Sequence, residues 1–282
     1  MALAGHTLIV GDHFANLSLM GYGAVRYGGA ALVALAWLIS RGQLKSAFGG
    51  KALGYGLVAG AVGITVARAL LLSVQAHVGA EATALAAPLA PLVLAVVMHL
   101  GKRMELNLWL FSALLAGFAG CLLLAGIPDD LGAFLSLPVA ITFLAAIVAI
   151  GTLFGTGNPL YSVNGAIGGA ALVLFFAAAA SAALAPDEAL EALTTVANPM
   201  DSFDQFIWFG ADVLVTTLLP YALLMQAMKN LNAVAAASSL FLAPVAMALL
   251  AYVLKGQEPA SLQMVGGVIA MAACAVLAAK QQ

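Results

Sequence analysis

The chain has 282 residues, 64% of them hydrophobic types and only 8% charged, with a mean hydropathy of +1.08. Soluble domains average about 45–50% apolar and about 25% charged, so a soluble fold of this length cannot hide such a surface and lipid is the implied solvent. Ten Lys+Arg against twelve Asp+Glu leave the chain near neutral, which excludes the basic footprint of a nucleic-acid binder.

A bilayer-spanning helix needs about 20 mostly apolar residues. In chain order the qualifying stretches are Leu19–Ile39, Leu53–Ser73, Thr83–Leu100, Leu108–Gly126, Leu131–Phe154, Leu160–Leu184, Phe206–Met228, Ala233–Leu254 and Leu262–Ala279. The runs are continuous rather than alternating, which argues against a β-barrel and predicts an all-α integral membrane fold. Abundant Gly and Ala suit close helix packing in lipid. Cys121 and Cys274 sit within apolar runs and read as small hydrophobes, with no disulfide or metal site. The N-terminus lacks the pattern of a signal peptide.

Nine alternating spans place Arg41, Lys45, Lys51, Lys102, Arg103, Lys229 and Lys280 on one side. Most acidic residues fall on the other, including Asp187, Glu188, Glu191, Asp201 and Asp204 in the longest connection, Ala185–Gln205. Lys/Arg excess marks the cytoplasmic face. The expectation is therefore a multi-pass protein of the inner (cytoplasmic) membrane, with its C-terminus cytoplasmic and Ala185–Gln205 an external acidic loop.

Pro91, Glu105 and Cys121 recur at the same spacing as Pro244, Glu258 and Cys274. Gly28-Gly29-Ala30-Ala31-Leu32-Val33 recurs letter for letter as Gly168-Gly169-Ala170-Ala171-Leu172-Val173. These matches divide the chain into two five-helix units, residues 1–127 and 128–282. An odd number of spans inverts the second unit, the usual build of secondary transporters. Aligning the units leaves the first helix incomplete, so about nine full spans and a partial N-terminal one are expected.

The Pro-then-Glu spacing at Pro91…Glu105 and Pro244…Glu258 resembles that of the drug/metabolite transporter superfamily, specifically its EamA-type ten-helix carriers. Gly117, Gly120, Gly266 and Gly267 in the last helix of each unit, Tyr221-Ala222-Leu223, and Arg26 opening the second family helix carry the same resemblance. It covers nearly the whole chain from Asn16 onward and departs from the family at the incomplete first helix. It implies a carrier without cofactors, moving a small solute through the bilayer.

No enzyme motif is present: the sequence shows no phosphate-binding Gly loop with Lys, no nucleophile elbow and no His/Glu metal spacing. Charges inside a membrane are functional hypotheses by default, and three stand out, Arg26, Arg68 and Asp212. Their depths below one end of their helices agree within about one turn, so they could meet in the outer half of the bundle, with Arg68 and Asp212 either an ion pair that fastens the repeats or a pair that faces one cavity and binds or gates a solute. Thr65, Arg68 and Gln75 fall within about 80° on a helical wheel, and Asp212, Thr216 and Gln226 share another face. Such stripes face the bundle or a cavity; interhelical hydrogen bonding explains them as well as solute binding does. Tyr221 and Ser238 are further solute-binding candidates. Arg26 reads as structural or gating. Pro91 and Pro244 either free carbonyls for a solute or kink helices for gating. Trp37, Trp109 and Trp208 read as belt residues near span ends.

The leading expectation is a secondary transporter using alternating access, energised by exchange or a coupling ion, for a drug-like or amino-acid-like solute. The competing readings are a non-transporting membrane subunit and a membrane-embedded lipid-handling protein.

Overall fold

A computed structural model describes residues 14, 17–47, 86–102, 104–125, 163–198, 203–219, 233–256 and 258–279. The expected spans 53–73 and 131–154 lie outside these residues. Among the described residues the chain is helical, with no strand. In order the helices are α1 (Leu19–Ser40), the short α2 (Leu44–Ala47), α3 (Ala86–Leu100), α4 (Leu108–Ala125), α5 (Val163–Leu184), α6 (Pro186–Ala197), α7 (Phe203–Ala211), α8 (Ala233–Ser238), α9 (Leu242–Lys255) and α10 (Ser261–Ala279). Helix α7 runs on into π-helical turns at Asp212–Leu218, and a 3-10 turn, Ser239–Phe241, joins α8 to α9.

Among the described residues, two helix pairs make the most extensive contacts. In the first, α1 lies along α5 through small side chains: Ala30, Ala31, Ala34, Ala171 and Ala177 are all buried. Small residues let backbones approach closely, which is what drives association where lipid and side chains are equally apolar. Tyr27, Leu174 and Val213 complete this core.

The second pair is α4 and α10, and it is closer still. A Cβ on Gly120 would lie 2.7 Å from the Gly266 carbonyl oxygen and 2.7 Å from the Ala270 nitrogen; one on Gly266 would lie 2.6 Å from the Gly120 oxygen. Only glycine permits this crossing. Leu94 and Leu114 pack beside the pair with Val234, Phe241 and Leu277. The surfaces turned away from these cores are apolar, among them Leu32, Leu108, Val253, Leu262 and Val268.

Three helices, Met20–Ser40, Leu108–Ala125 and Ser261–Ala279, are long and apolar enough to cross a membrane among the described residues. The expected span at Ala233–Leu254 is not one uninterrupted helix. The 3-10 turn breaks it just before Pro244, a residue that cannot donate to the Leu240 carbonyl one turn back. Inside this break the Cys121 thiol donates to the Phe241 carbonyl at 3.4 Å.

The stretch expected as an acidic loop is mostly helix α6. The chain bends by 115° between α5 and α6. Ala185 takes non-helical dihedrals, as a residue before proline tends to, and Pro186 then opens α6 where a missing N–H costs nothing. Asp187 and Glu188 in the first turn complement the helix dipole.

Candidate functional site: a buried ion pair at a π-helical turn

Asp212 is the first residue of the π-helical segment and is fully buried. Its partner is Arg26, from the second turn of α1 and 5% exposed, whose Nε lies 3.1 Å from Asp212 Oδ2. Charges alone at the bilayer centre cost about 2.5–3.5 kcal/mol each on the lenient insertion scale, so each is tolerable here because of the other and of the groups around them.

Among the described residues, those groups come from α1 and the π-helical segment. The Tyr22 hydroxyl, one turn before Arg26 on α1, donates to Asp212 Oδ2 at 3.0 Å. The Thr216 hydroxyl lies against Asp212 Oδ1 and, at 2.8 Å, against the Asp212 carbonyl oxygen. Arg26 Nη2 donates to Thr216 Oγ1 at 3.1 Å and to the Thr216 carbonyl at 3.3 Å. Arg26 Nε donates to Thr217 Oγ1, whose own hydrogen goes to the Asp212 carbonyl at 2.9 Å.

The π-helical geometry makes this set possible. The Leu219 N–H reaches back to the Leu214 carbonyl, an i→i+5 contact. A turn closed over five residues holds more residues than an α-turn, so neighbouring side chains diverge less around the axis. Thr216 and Thr217 therefore both reach one guanidinium, and both are buried. Such turns occur frequently at functional sites.

Aromatic rings close one end of the network. Phe14 stacks on Tyr22 with centroids 4.8 Å apart, and Tyr22 meets Phe209 edge-on at 6.2 Å. Val196 of α6 packs into the same cluster, with Trp208 at its margin. Trp208 is partly buried against this cluster. Helix α6 is seated tightly: a Cβ on Gly21 would fall 2.2 Å from the Glu188 carbonyl oxygen. Ser18 caps α1 by accepting from the Gly21 N–H at 3.0 Å and donates its hydroxyl to Glu188 Oε2 at 2.5 Å.

Of the residues singled out in the sequence, the structure brings Arg26, Asp212 and Thr216 together. Arg68, Thr65, Gln75 and Tyr221 lie outside the described residues. Ser238 is buried elsewhere, in the α8–α10 region, where its hydroxyl donates to the Ala235 carbonyl at 2.7 Å and stands 3.9 Å from Cys274 Sγ. Pro91, inside α3, and Pro244, in the first turn of α9, are both buried. Tyr22 and Thr217 were not anticipated. The signal for Tyr22 was its place one turn before Arg26 on the same face. Thr217 carried none, because an α-helical wheel separates it from Thr216 by about 100°. No group of three or more His, Cys, Asp or Glu suited to a metal occurs among the described residues.

Residues 130–279 match the model of the EamA-like transporter family. The chain belongs to that family. It is a multi-pass membrane protein of the drug/metabolite transporter type. A solved crystal structure of a protein shares its fold, with a TM-score of 0.75 over 99% of this chain and 94% of that one, at 17% sequence identity. No curated protein matches the sequence.

Proposed function

We propose that this EamA-family chain is a secondary carrier that moves a small solute by alternating access, and that the Arg26–Asp212 network is the charged element its cycle works on. The observation that carries this reading is where the pair sits. Arg26 belongs to the first half of the sequence and Asp212 to the second, so the ion pair bridges the two halves. The rocking of one repeat against the other is the general mechanism of carriers with inverted repeats, and a contact that bridges the halves is made or broken by such a motion.

The duplication itself gains support from the helix pairs. Helices α1 and α5 carry the recurring Gly-Gly-Ala-Ala-Leu-Val run, α4 and α10 carry the recurring cysteines, and each pair packs together. The match at residues 130–279 also spans nearly the whole proposed second unit, 128–282. Within this reading a solute carboxylate competes with Asp212 for Arg26, or a solute amine competes with Arg26 for Asp212, so an amino-acid-like zwitterion suits both. Arg68, Thr65, Gln75, Thr216 and Tyr221 are proposed to line the same path, with Ser238, Pro91 and Pro244 serving the opposite part of it. The membrane is proposed to be the inner one, with a cytoplasmic C-terminus.

The second reading is that the pair only fastens the halves, as its complete hydrogen bonding allows. Counterflow in proteoliposomes, screened first over a panel of amino acids and amines, separates the two. The double replacement Arg26→Met with Asp212→Asn removes both charges while keeping similar shapes. A carrier that uses the pair folds with both replaced but loses counterflow of the responding solute. Full transport by that double variant would leave only the fastening role.

A further inference from the structure

Helix α6 presents three distinct sectors. At about 100° per residue, Ala185, Ala189, Ala192 and Val196 fall within about 60° of one another, and this sector rests on α1: Ala192 and Val196 are buried. Asp187, Glu188, Glu191, Thr194 and Thr195 occupy a second, polar sector, with both threonine hydroxyls donating to the Glu191 carbonyl at 2.9 Å. The third sector is apolar and uncovered: Pro186, Leu190, Leu193 and Ala197 lie together, with Leu190 62% and Leu193 51% exposed.

A helix on a water-exposed surface needs one apolar sector, the one it buries. Here a second apolar sector is uncovered, and exposed apolar side chains also stand at the neighbouring helix ends. Leu184, at the end of α5, is 64% exposed, and Phe203 and Phe206, where the chain re-enters α7, are 77% and 60% exposed. The 115° bend turns α6 across the direction of α5 at the end of a helix from the membrane bundle. An amphipathic helix in that attitude, with leucines on one side and carboxylates on the other, is built for the lipid–water interface.

We propose that α6 is an interfacial membrane helix, with the Leu190/Leu193 sector inserted among lipid headgroups and upper acyl chains at the α1 N-terminal end of the bundle. Its polar sector faces water, and its buried sector seats Val196 on the Tyr22 end of the ion-pair network. The partner is the lipid surface rather than another protein. The carboxylates on the neighbouring sector favour a zwitterionic over an anionic surface, because anionic headgroups would repel them.

The test is site-directed nitroxide labelling of the full chain in phosphatidylcholine liposomes, in a Cys121→Ala, Cys274→Ala background. Labels at Leu190→Cys, Leu193→Cys and Thr194→Cys are compared with Val268→Cys, exposed on the apolar helix α10, and Glu258→Cys, in an exposed connection. Accessibility to oxygen, which concentrates in lipid, and to a water-soluble nickel chelate is read for each. Leu190 and Leu193 should show an oxygen-to-chelate ratio several-fold above that of Glu258 and approaching that of Val268, while Thr194 follows Glu258. Equal ratios at Leu193 and Thr194 would overturn the proposal. So would shielding of Leu190 and Leu193 from both reagents, which would mean that protein, such as a second copy of the chain, covers the sector. None of these readings depends on transport, so the outcome stands apart from that of the carrier reading.

Discussion

Neutralising Asp212 alone by Asp212→Asn should destabilise the protein less than the loss of one partner from a simple buried pair, and removing Arg26 alone should cost more. Breaking a buried pair by removing one partner typically costs about 3–5 kcal/mol, because the other charge is stranded. Arg26 keeps three other acceptors when the Asp212 charge is lost, namely Thr217 Oγ1, Thr216 Oγ1 and the Thr216 carbonyl. Each hydrogen bond to a charged group is worth about 1.5–3 kcal/mol, so Asp212→Asn should fall just below the range for a broken pair, at about 2–3 kcal/mol. In Arg26→Met the carboxylate keeps only the Tyr22 hydroxyl and the Thr216 hydroxyl among the contacts described above, and the cost should reach the upper end, about 4–5 kcal/mol. The double variant should be less destabilised than Arg26→Met, giving a coupling of about 2 kcal/mol or more. Reversible unfolding in mixed detergent micelles, followed for the parent, both single variants and the double, measures all four corners. Additivity within about 0.5 kcal/mol would mean that the two residues do not act as a pair, and a costlier Asp212→Asn than Arg26→Met would refute the role given to the threonines.

Gly120→Val should be strongly destabilising, because even its Cβ would sit 2.7 Å from backbone atoms of α10 that cannot rotate away; overpacking costs about 1–3 kcal/mol where side chains can yield and more here, read as lost monodisperse protein after solubilisation. Topology is checked by single cysteines at Lys45 and Glu188 in a cysteine-free background, which should label from opposite sides of the membrane with an impermeant thiol reagent; labelling of both from outside in intact cells would defeat the assigned sidedness.

The spans were legible because lipid imposes a simple rule: an uninterrupted apolar run of about 20 residues is a helix. Leu108–Gly126 and Leu262–Ala279 were read almost to the residue and are found at Leu108–Ala125 and Ser261–Ala279. Helix α6 escaped the same rule because it is too polar and too short to span. Its signs were of another kind, Pro186 followed by acidic residues and the spacing of Ala189, Ala192 and Val196. Asp212 and Arg26 are visible in the sequence as charges in apolar surroundings at depths that agree within about one turn, but the sequence pairs Asp212 with Arg68, which lies outside the described residues, and reads Arg26 only as structural or gating. The rest of the network was hidden by the π-helical turn, since a regular helical wheel sends Thr217 away from Arg26.

A buried ion pair is weak evidence for stability, since well-packed apolar residues often serve as well, so its presence between α1 and the π-helical segment calls for another explanation. The α1–α5 interface beside it is built from alanines such as Ala30, Ala34 and Ala177. Contacts of that kind hold helices close but vary little when one slides or tilts against the other. The Arg26–Asp212 network is different in kind: its donors and acceptors meet in one register, and displacing α1 by a turn would exchange Arg26 for Tyr22 or Ala30 opposite the carboxylate. Under the carrier reading, a small-residue interface beside a polar lock with one satisfied position would serve as the two-state element of the cycle. Tyr22 ties that lock to α6 by offering its hydroxyl to Asp212 while its ring meets Val196. Under the carrier reading, a motion that releases the ion pair would also disturb the seat of α6 on Tyr22.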